Sequence, residues 1–223
     1  MSMFILLFAI PMILAIYAQI KVSSTYSHWS KVESQRKMTG RDAAAAILKG
    51  AGIHHVTIEE TEGHLTDHYD PSNKRLVLSS ENYQGSHLAA LGVAAHEAGH
   101  AIQHQEKYAP LQFRMSLIPI TNIASNILPF VVFGGLFMGL LGLVKLGIVV
   151  YLILTVFQLI TLPVEFDASR RAKKQLLQLG ILDHSEIPGV VATLNAAGLT
   201  YLAAFVATLA NLLFFILASR NED

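Results

Sequence analysis

Two histidines and a glutamate form a compact motif at residues 96–100, which read His-Glu-Ala-Gly-His. On a helix, residues four apart share one face, so the imidazoles of His96 and His100 can reach one metal ion. The chain has no cysteine, which leaves His, Asp and Glu as its strong metal ligands. Glu97 lies beside the pair, with a carboxylate free to take a proton from metal-bound water. The motif therefore predicts a zinc site with a catalytic base. The alternative is that the two histidines lie on a helix face with their hydrogen bonds satisfied and bind no metal.

A catalytic zinc ion needs a third protein ligand and an open position for water. His104 is the nearest candidate, but it would lie about 12 Å from His96 along the helix axis, and three such ligands converge poorly. The metzincin pattern requires Gly at 103 and His at 106, where this chain has Gln103 and Glu106, so that class is excluded. A carboxylate further along the chain is the other solution, and Glu165 stands at the end of an apolar tract.

Four apolar tracts indicate that the chain spans a membrane. Charged residues make up only 14% of the 223 residues, against about 25% in a soluble domain. A bilayer crossing needs about 20 apolar residues. Residues 3–20, 117–143, 146–163 and 199–218 have such lengths. A cleaved signal peptide is the alternative for the first tract, although its start, Met-Ser-Met-Phe, lacks a basic segment; a buried soluble core is the alternative for all four.

The tracts predict the domain organisation. A first transmembrane helix (1–20) precedes a polar α+β domain with the motif (21–116), a transmembrane hairpin of helices 2 and 3 (117–164), a third-ligand segment with polar helices (165–198), a fourth transmembrane helix (199–218) and a tail (219–223). Four crossings place Glu165 on the same side as the motif. Only Lys145 and Arg220 lie outside the two polar segments, leaving 14 of 16 Lys and Arg there. The positive-inside rule predicts that this side is cytoplasmic.

The polar domain is predicted to hold few strands. Thr39 and Asp42 precede a helix over 43–49 that stops at Gly50. Strands are expected over 56–58 and 76–78, on either side of a turn at 70–73, and the second strand is a candidate edge for an extended substrate. Ser86 is expected to cap the motif helix, from about 87 to 104.

Three runs carry a resemblance to a known family: residues 63–71 (Gly-His-Leu-Thr-Asp-His-Tyr-Asp-Pro), 94–103 (Ala-Ala-His-Glu-Ala-Gly-His-Ala-Ile-Gln) and 161–169 (Thr-Leu-Pro-Val-Glu-Phe-Asp-Ala-Ser). With Leu78-Ser79 and Leu199-Thr200-Tyr201, they resemble the YugP-type neutral zinc metallopeptidases over nearly the whole chain. This implies a mostly α, multi-pass protein of the bacterial cell membrane with a zincin-like (gluzincin) domain and one zinc ion per chain.

The resemblance also implies roles for individual residues. His96, His100 and Glu165 would be the ligands and Glu97 the base, in a layout similar to the HtpX-type membrane proteases. Those enzymes place an Asp four residues after the third ligand, where it supports a ligand histidine. Here Ser169 holds that position and Asp167 lies two residues after Glu165, so either residue is a candidate for that support.

The predicted function is a membrane-embedded zinc endopeptidase in which Glu97 activates the attacking water. His68, Tyr69 and Arg170 are candidates for stabilising the oxyanion; otherwise His68 and Tyr69 only order the turn at 70–73 and Arg170 only anchors the membrane interface. The predicted partners are the lipid bilayer and a peptide or membrane-protein substrate, because the third ligand follows a membrane helix. The zero net charge implies no broad attraction to nucleic acid.

Two other functions compete with the peptidase. A non-catalytic membrane scaffold with a structural zinc ion would not need Glu97 and would close the site with four protein ligands. A transporter or channel with a metal-sensing domain is disfavoured because the apolar tracts contain almost no ionisable residues, which usually mark ion paths.

Overall fold

The computed structural model describes residues 2–220, and within them the side chains of all but residues 2–4 and 136. The chain is mostly helical. Its elements, in order, are α1 (Ser2–Trp29), α2 (Gly40–Gly50), β1 (Thr57–Thr61), β2 (His68–Asp70), β3 (Arg75–Ser79), α3 (Ser80–Gln84), α4 (Leu88–Gln105), α5 (Ala109–Val132), a π-helical turn (Phe133–Phe137), α6 (Leu141–Gln178) and α7 (Ile187–Arg220). Residue 1 of the predicted first membrane helix and residues 221–223 of the predicted tail lie outside the described residues.

Within residues 2–220, four helices are long and apolar enough to cross a membrane, judged by length and composition: α1, α5, α6 and α7. The chain divides into two compact units. The apolar unit comprises residues up to 19, 112–163 and those from 199 on. It has its own core, in which Tyr151 and Phe215 pack with ring centroids 5.3 Å apart. Large apolar side chains such as Ile13, Ile123 and Leu159 are exposed along these helices. A surface of this kind suits lipid better than water.

The polar unit comprises residues 20–111 and 164–198. Its core joins α2, β3, α4 and the parts of α6 and α7 that lie in this unit, with fully buried side chains that include Ile47, Leu78, Leu91 and Leu176. Thr39 caps α2 by accepting a hydrogen bond from the Asp42 backbone, as its place in the sequence predicts. This core fixes α4, which carries the His-Glu-Ala-Gly-His motif, against the second half of α6.

The sheet of the polar unit is small and mixed. β3 lies in the centre, parallel to β1 and antiparallel to β2. Leu76 and Val77 are paired on both sides, with Ile58 and Glu59 of β1 and with β2. The strand at 76–78 was predicted to have a free edge. Over residues 76–77 this prediction is wrong, because β2, a strand that was not predicted, pairs with that edge.

The cap of α4 also differs from the prediction. The helix begins at Leu88, and the Nδ1 atom of His87 accepts a hydrogen bond from the Ala90 backbone, 3.1 Å away. The Ser86 hydroxyl donates instead to Glu33, next to an isolated bridge between Glu33 and His87. The predicted cap is wrong because the Ser86 hydroxyl is hydrogen-bonded to Glu33, which is 53 residues away in sequence.

The segment before β2 is held by Asp67. Its carboxylate accepts hydrogen bonds from the Ser79 backbone and from the Asn82 amide, each 2.8 Å away. Asn82 is fully buried and accepts a hydrogen bond from the Tyr26 hydroxyl at 2.7 Å. The run at 63–71 thus has a structural role, since it joins the sheet to α1 and α3.

Candidate metal centre

A close approach of α4 and α6 brings the motif to its third candidate ligand. A Cβ atom added at Gly99 would lie 2.7 Å from the carbonyl oxygen of Ala168, which real Cβ contacts essentially never show. Ala168 is itself fully buried. The two backbones can approach this closely only because position 99 has no side chain. This close approach brings His100 on α4 within reach of Glu165 on α6, with His100 Nε2 3.5 Å from Glu165 Oε2.

Three side chains place donor atoms around one point. His96, His100 and Glu165 offer one ligand atom each, and these atoms all lie within 4.8 Å of one another. The Nε2 atoms of His96 and His100 lie 3.1 and 3.5 Å from Glu165 Oε2. The two imidazole rings are nearly perpendicular, with centroids 4.8 Å apart. The structure thus brings together the three residues that the sequence and the resemblance singled out.

The geometry suits a zinc ion. Two ligands bound at zinc's usual distances in a tetrahedral site are separated by about 3.3 Å, and the two nitrogen–oxygen distances bracket this value. Two imidazole nitrogens and one carboxylate oxygen are a donor set that catalytic zinc sites use. Such a set leaves a fourth position for water, as hydrolysis requires.

The opposite ring nitrogens are held by hydrogen bonds. His96 Nδ1 lies 3.1 Å from the Ser169 hydroxyl. His100 Nδ1 lies 3.0 Å from Oε1 of Gln103. In both rings this leaves Nε2 directed at Glu165 and available for a metal ion. Partners at the far nitrogen orient a ligand histidine and raise its basicity.

Gln103 determines which nitrogen of His100 carries the proton. The Gln103 side chain is 0% exposed, and its Nε2 atom donates to the Val164 carbonyl at 2.8 Å and to Asp167 at 2.9 Å. Because the amide nitrogen faces two acceptors, Oε1 is the atom that faces His100. His100 Nδ1 must then donate, so Nε2 is the nitrogen that would present its lone pair to a metal ion.

Both candidates for supporting a histidine, Ser169 and Asp167, lie close to the pair. Ser169 contacts His96 directly, while Asp167 reaches His100 through Gln103. From the sequence, Gln103 had no predicted role in orienting a ligand. Its spacing of three residues from His100 on one helix was a usable signal, since such residues are neighbours on the helix surface.

Glu97 has the properties of an available base. It is 8% exposed and, among residues 2–220, makes no hydrogen bond or ion pair. Burial raises the pKa of its carboxyl above the ordinary value, assisted by Glu165 and Asp67 and opposed by the two imidazoles. A cation beside it would favour the carboxylate and lower this pKa again. A bound metal would therefore convert Glu97 into the form that accepts protons.

The other predicted site residues have partners of their own. The Tyr69 hydroxyl lies 2.9 Å from Nδ1 of His104. His104, the alternative candidate for the third ligand, therefore has a hydrogen-bond partner away from the histidine pair. Burial raises the pKa of Tyr69 to about 12. His68 is exposed, with Nδ1 2.9 Å from the Thr66 carbonyl. Arg170 pairs with Asp167, and its side chain is 76% exposed. The oxyanion roles of His68, Tyr69 and Arg170 stay predictions.

Replacing Gln103 with Leu should weaken metal binding. The change removes the acceptor of His100 Nδ1 and lets the ring rotate or change tautomer, so we expect a loss of about 10–100-fold in zinc affinity. Competition with a chromophoric chelator measures this without turnover. Gln178→Leu makes the same change at the exposed end of α6 and should leave the affinity unaltered. Wild-type affinity in Gln103→Leu would exclude this role for the amide.

Comparison with known proteins found matches over nearly the whole chain. A family model described as "Putative neutral zinc metallopeptidase" matches residues 4–220. A protein of Bacillus subtilis (strain 168), named "Putative membrane protease YugP", is 42% identical over 219 residues, which cover 98% of this chain and 97% of that protein. No solved structure matches the chain.

Proposed function

Since this chain belongs to the neutral zinc metallopeptidase family, we propose that it is an endopeptidase that cleaves proteins or peptides at a membrane. His96, His100 and Glu165 would hold one zinc ion, and Glu97 would serve as general base. The observation that carries the proposal is the convergence of two Nε2 atoms and one carboxylate oxygen within 4.8 Å. The buried carboxyl of Glu97 stands beside them, and the described residues offer it no hydrogen bond or ion pair.

Each residue of the centre has a defined task in hydrolysis. When bound, zinc supplies a Lewis acid that polarises the substrate carbonyl and lowers the pKa of water. Ser169 and Gln103 orient the two histidines so that their Nε2 atoms face the metal position. Glu97 takes a proton from the attacking water and returns it to the leaving amine. Burial of Glu97 and Glu165 excludes other water, which strengthens the electrostatic interactions within the centre.

The donor count favours catalysis over a structural zinc site. Among the residues that the structure describes, the group around Glu165 comprises three donors, whereas structural sites have four protein ligands. A structural zinc site of a membrane scaffold would therefore lack its fourth protein ligand, and such a site would give Glu97 no role.

Membrane placement supports the substrate class. Four apolar helices, and similarity to a protein named as a membrane protease, make this a membrane protein. Glu165 follows Pro163 by two residues in α6, where the apolar tract ends. We propose that the centre lies near the bilayer surface and acts on membrane-associated chains. The concentration of Lys and Arg in residues 21–116 and 165–198 favours the cytoplasmic side.

Removal of the metal provides the direct test. Purified full-length protein in detergent should cleave a quenched fluorescent peptide library, lose that activity on dialysis against a chelator, and regain it with zinc. Glu97→Gln protein, carried through the same steps, controls for a contaminating protease because it should rebind zinc without regaining activity. Cleavage that resists metal removal, or that zinc cannot restore, would contradict the proposal.

A further inference from the structure

A cavity lined by α4 and α6 has no role in the proposed hydrolysis. Its volume is about 340 Å³. It is lined by Ile102 and Glu106 of α4 and by Arg170, Arg171, Lys174 and Gln175 of α6. We call it the basic cavity. Its volume falls in the lower part of the range of small-molecule sites, roughly 300–1,000 Å³.

The basic cavity has more cations than anions. Asp167, Arg170, Arg171 and Lys174 are spaced by three and four residues, so they share one face of α6. Arg171 is already paired, because its Nε atom donates to Asp167 and one terminal nitrogen donates to Glu106. Even when both carboxylates are counted, three cations face two anions.

Two of these cations keep donors for a ligand. Arg170 uses one guanidinium nitrogen on Asp167, and most of its side chain is exposed. Lys174 is exposed and, within residues 2–220, forms no ion pair. A planar fork beside a mobile point charge matches the geometry and charge of a phosphate group. The lining therefore favours a phosphate anion over a neutral or cationic ligand.

The source of that phosphate follows from the position of the cavity along α6. Phe166, which is 54% exposed, is the last large apolar side chain before the cations. Arg170 follows four residues later, about 6 Å along the helix axis. Phosphate groups of a bilayer lie directly beside the hydrocarbon, and basic segments next to an apolar helix attract anionic lipids. A lipid phosphate is thus the anion that this stretch of α6 would meet.

We propose that the basic cavity binds the phosphate group of an anionic phospholipid through Arg170 and Lys174. The inference rests on the proposed membrane crossing of α6 and does not depend on catalysis. Bound lipid would fix the helix that carries Glu165 at a defined depth in the membrane.

Binding of phosphatidylglycerol and phosphatidylcholine with identical chains tests the proposal. Native mass spectrometry of the full-length protein in detergent gives the affinity of the first bound lipid. We expect wild type to prefer phosphatidylglycerol and Lys174→Gln to weaken that binding about fivefold. Lys174→Arg should retain it. Lys173→Gln is the matched control, since it removes the same charge one residue away, outside the cavity lining.

Four outcomes would overturn the inference. Equal losses in Lys173→Gln and Lys174→Gln would indicate diffuse surface charge. Equal binding of the two lipids would exclude headgroup recognition, and Lys174-dependent binding of inorganic phosphate without lipid preference would assign the cavity to a soluble anion. Lys174-dependent binding of an acidic peptide without lipid preference would make the basic cavity a substrate site, which would also contradict the lipid proposal. The assay needs no turnover, so its failure leaves the peptidase proposal intact, and failure of zinc-dependent cleavage leaves the lipid result intact.

Discussion

Glu97→Gln protein should bind zinc normally and hydrolyse almost nothing. Gln has the shape of Glu but cannot accept a proton, and Glu97 is not among the three converging donors. A general base contributes about 10²–10⁴-fold to such a reaction, so kcat should fall by this factor with little change in KM. Zinc content by elemental analysis and peptide cleavage on the same preparation separate the two effects.

A matched control distinguishes loss of the base from a general effect of removing a charge. Glu60→Gln makes the same change on β1 of the same unit, where Glu60 is exposed and accepts a hydrogen bond from Gln84 that a glutamine oxygen can also accept. Its activity should match wild type. Zinc-loaded Glu97→Gln protein that cleaves at the wild-type rate would require another base. Loss of zinc together with activity would instead point to a structural role for Glu97.

The parts of the centre that follow from local geometry could be predicted from the sequence. His96 and His100 share a helix face whatever the rest of the fold does, because their spacing fixes it. Glu165 needed more: its apolar context and the resemblance identified it, and only the packing of Gly99 against Ala168 shows how it reaches the pair. Gln103 was missed because two of its three partners, Val164 and Asp167, belong to another helix.

The membrane helices show where pattern reasoning loses resolution. Apolar tracts predicted four long helices, and four are present. The tracts predicted the membrane-spanning segments and not the helix ends, because an apolar tract reports which residues avoid water and not where backbone hydrogen bonding stops. α6 continues to Gln178, fifteen residues past the tract's predicted end at 163, and α7 begins at Ile187, twelve residues before its predicted start at 199. The extra turns of α6 carry Glu165, Asp167 and Ser169, so the continuation of this helix builds the centre.

β2 was missed for a related reason. It has three residues, His68–Asp70, none of them fully buried, so no alternation of apolar and polar residues marks it. It exists because β3 offers a partner edge, and pairing of this kind is not encoded within the strand itself. The prediction that β3 offers an edge to a substrate is wrong over residues 76–77, because β2 pairs with that edge.

Glu165→Gln should lose zinc more severely than any change outside the ligand set. The oxygen that lies 3.1 Å from His96 Nε2 would become part of a neutral amide, which is a poor zinc ligand and brings no charge to offset the cation. The loss in affinity should therefore exceed the roughly 10–100-fold expected for an outer partner. Competition with a chelator measures the affinity, and peptide cleavage should fall in parallel unless zinc is supplied in excess.

Asp167→Asn provides the comparison that makes this result specific to Glu165. It removes a buried negative charge on the same helix two residues away, but Asp167 contacts His100 only through Gln103. Its effect on affinity should be clearly smaller than that of Glu165→Gln. If both variants lost zinc equally, helix charge rather than coordination would explain the dependence.

If Glu165→Gln kept wild-type affinity, the third ligand would have to come from elsewhere. The geometric case for a catalytic centre between α4 and α6 would then fail, because it requires a carboxylate from α6 to close the site that the two histidines begin.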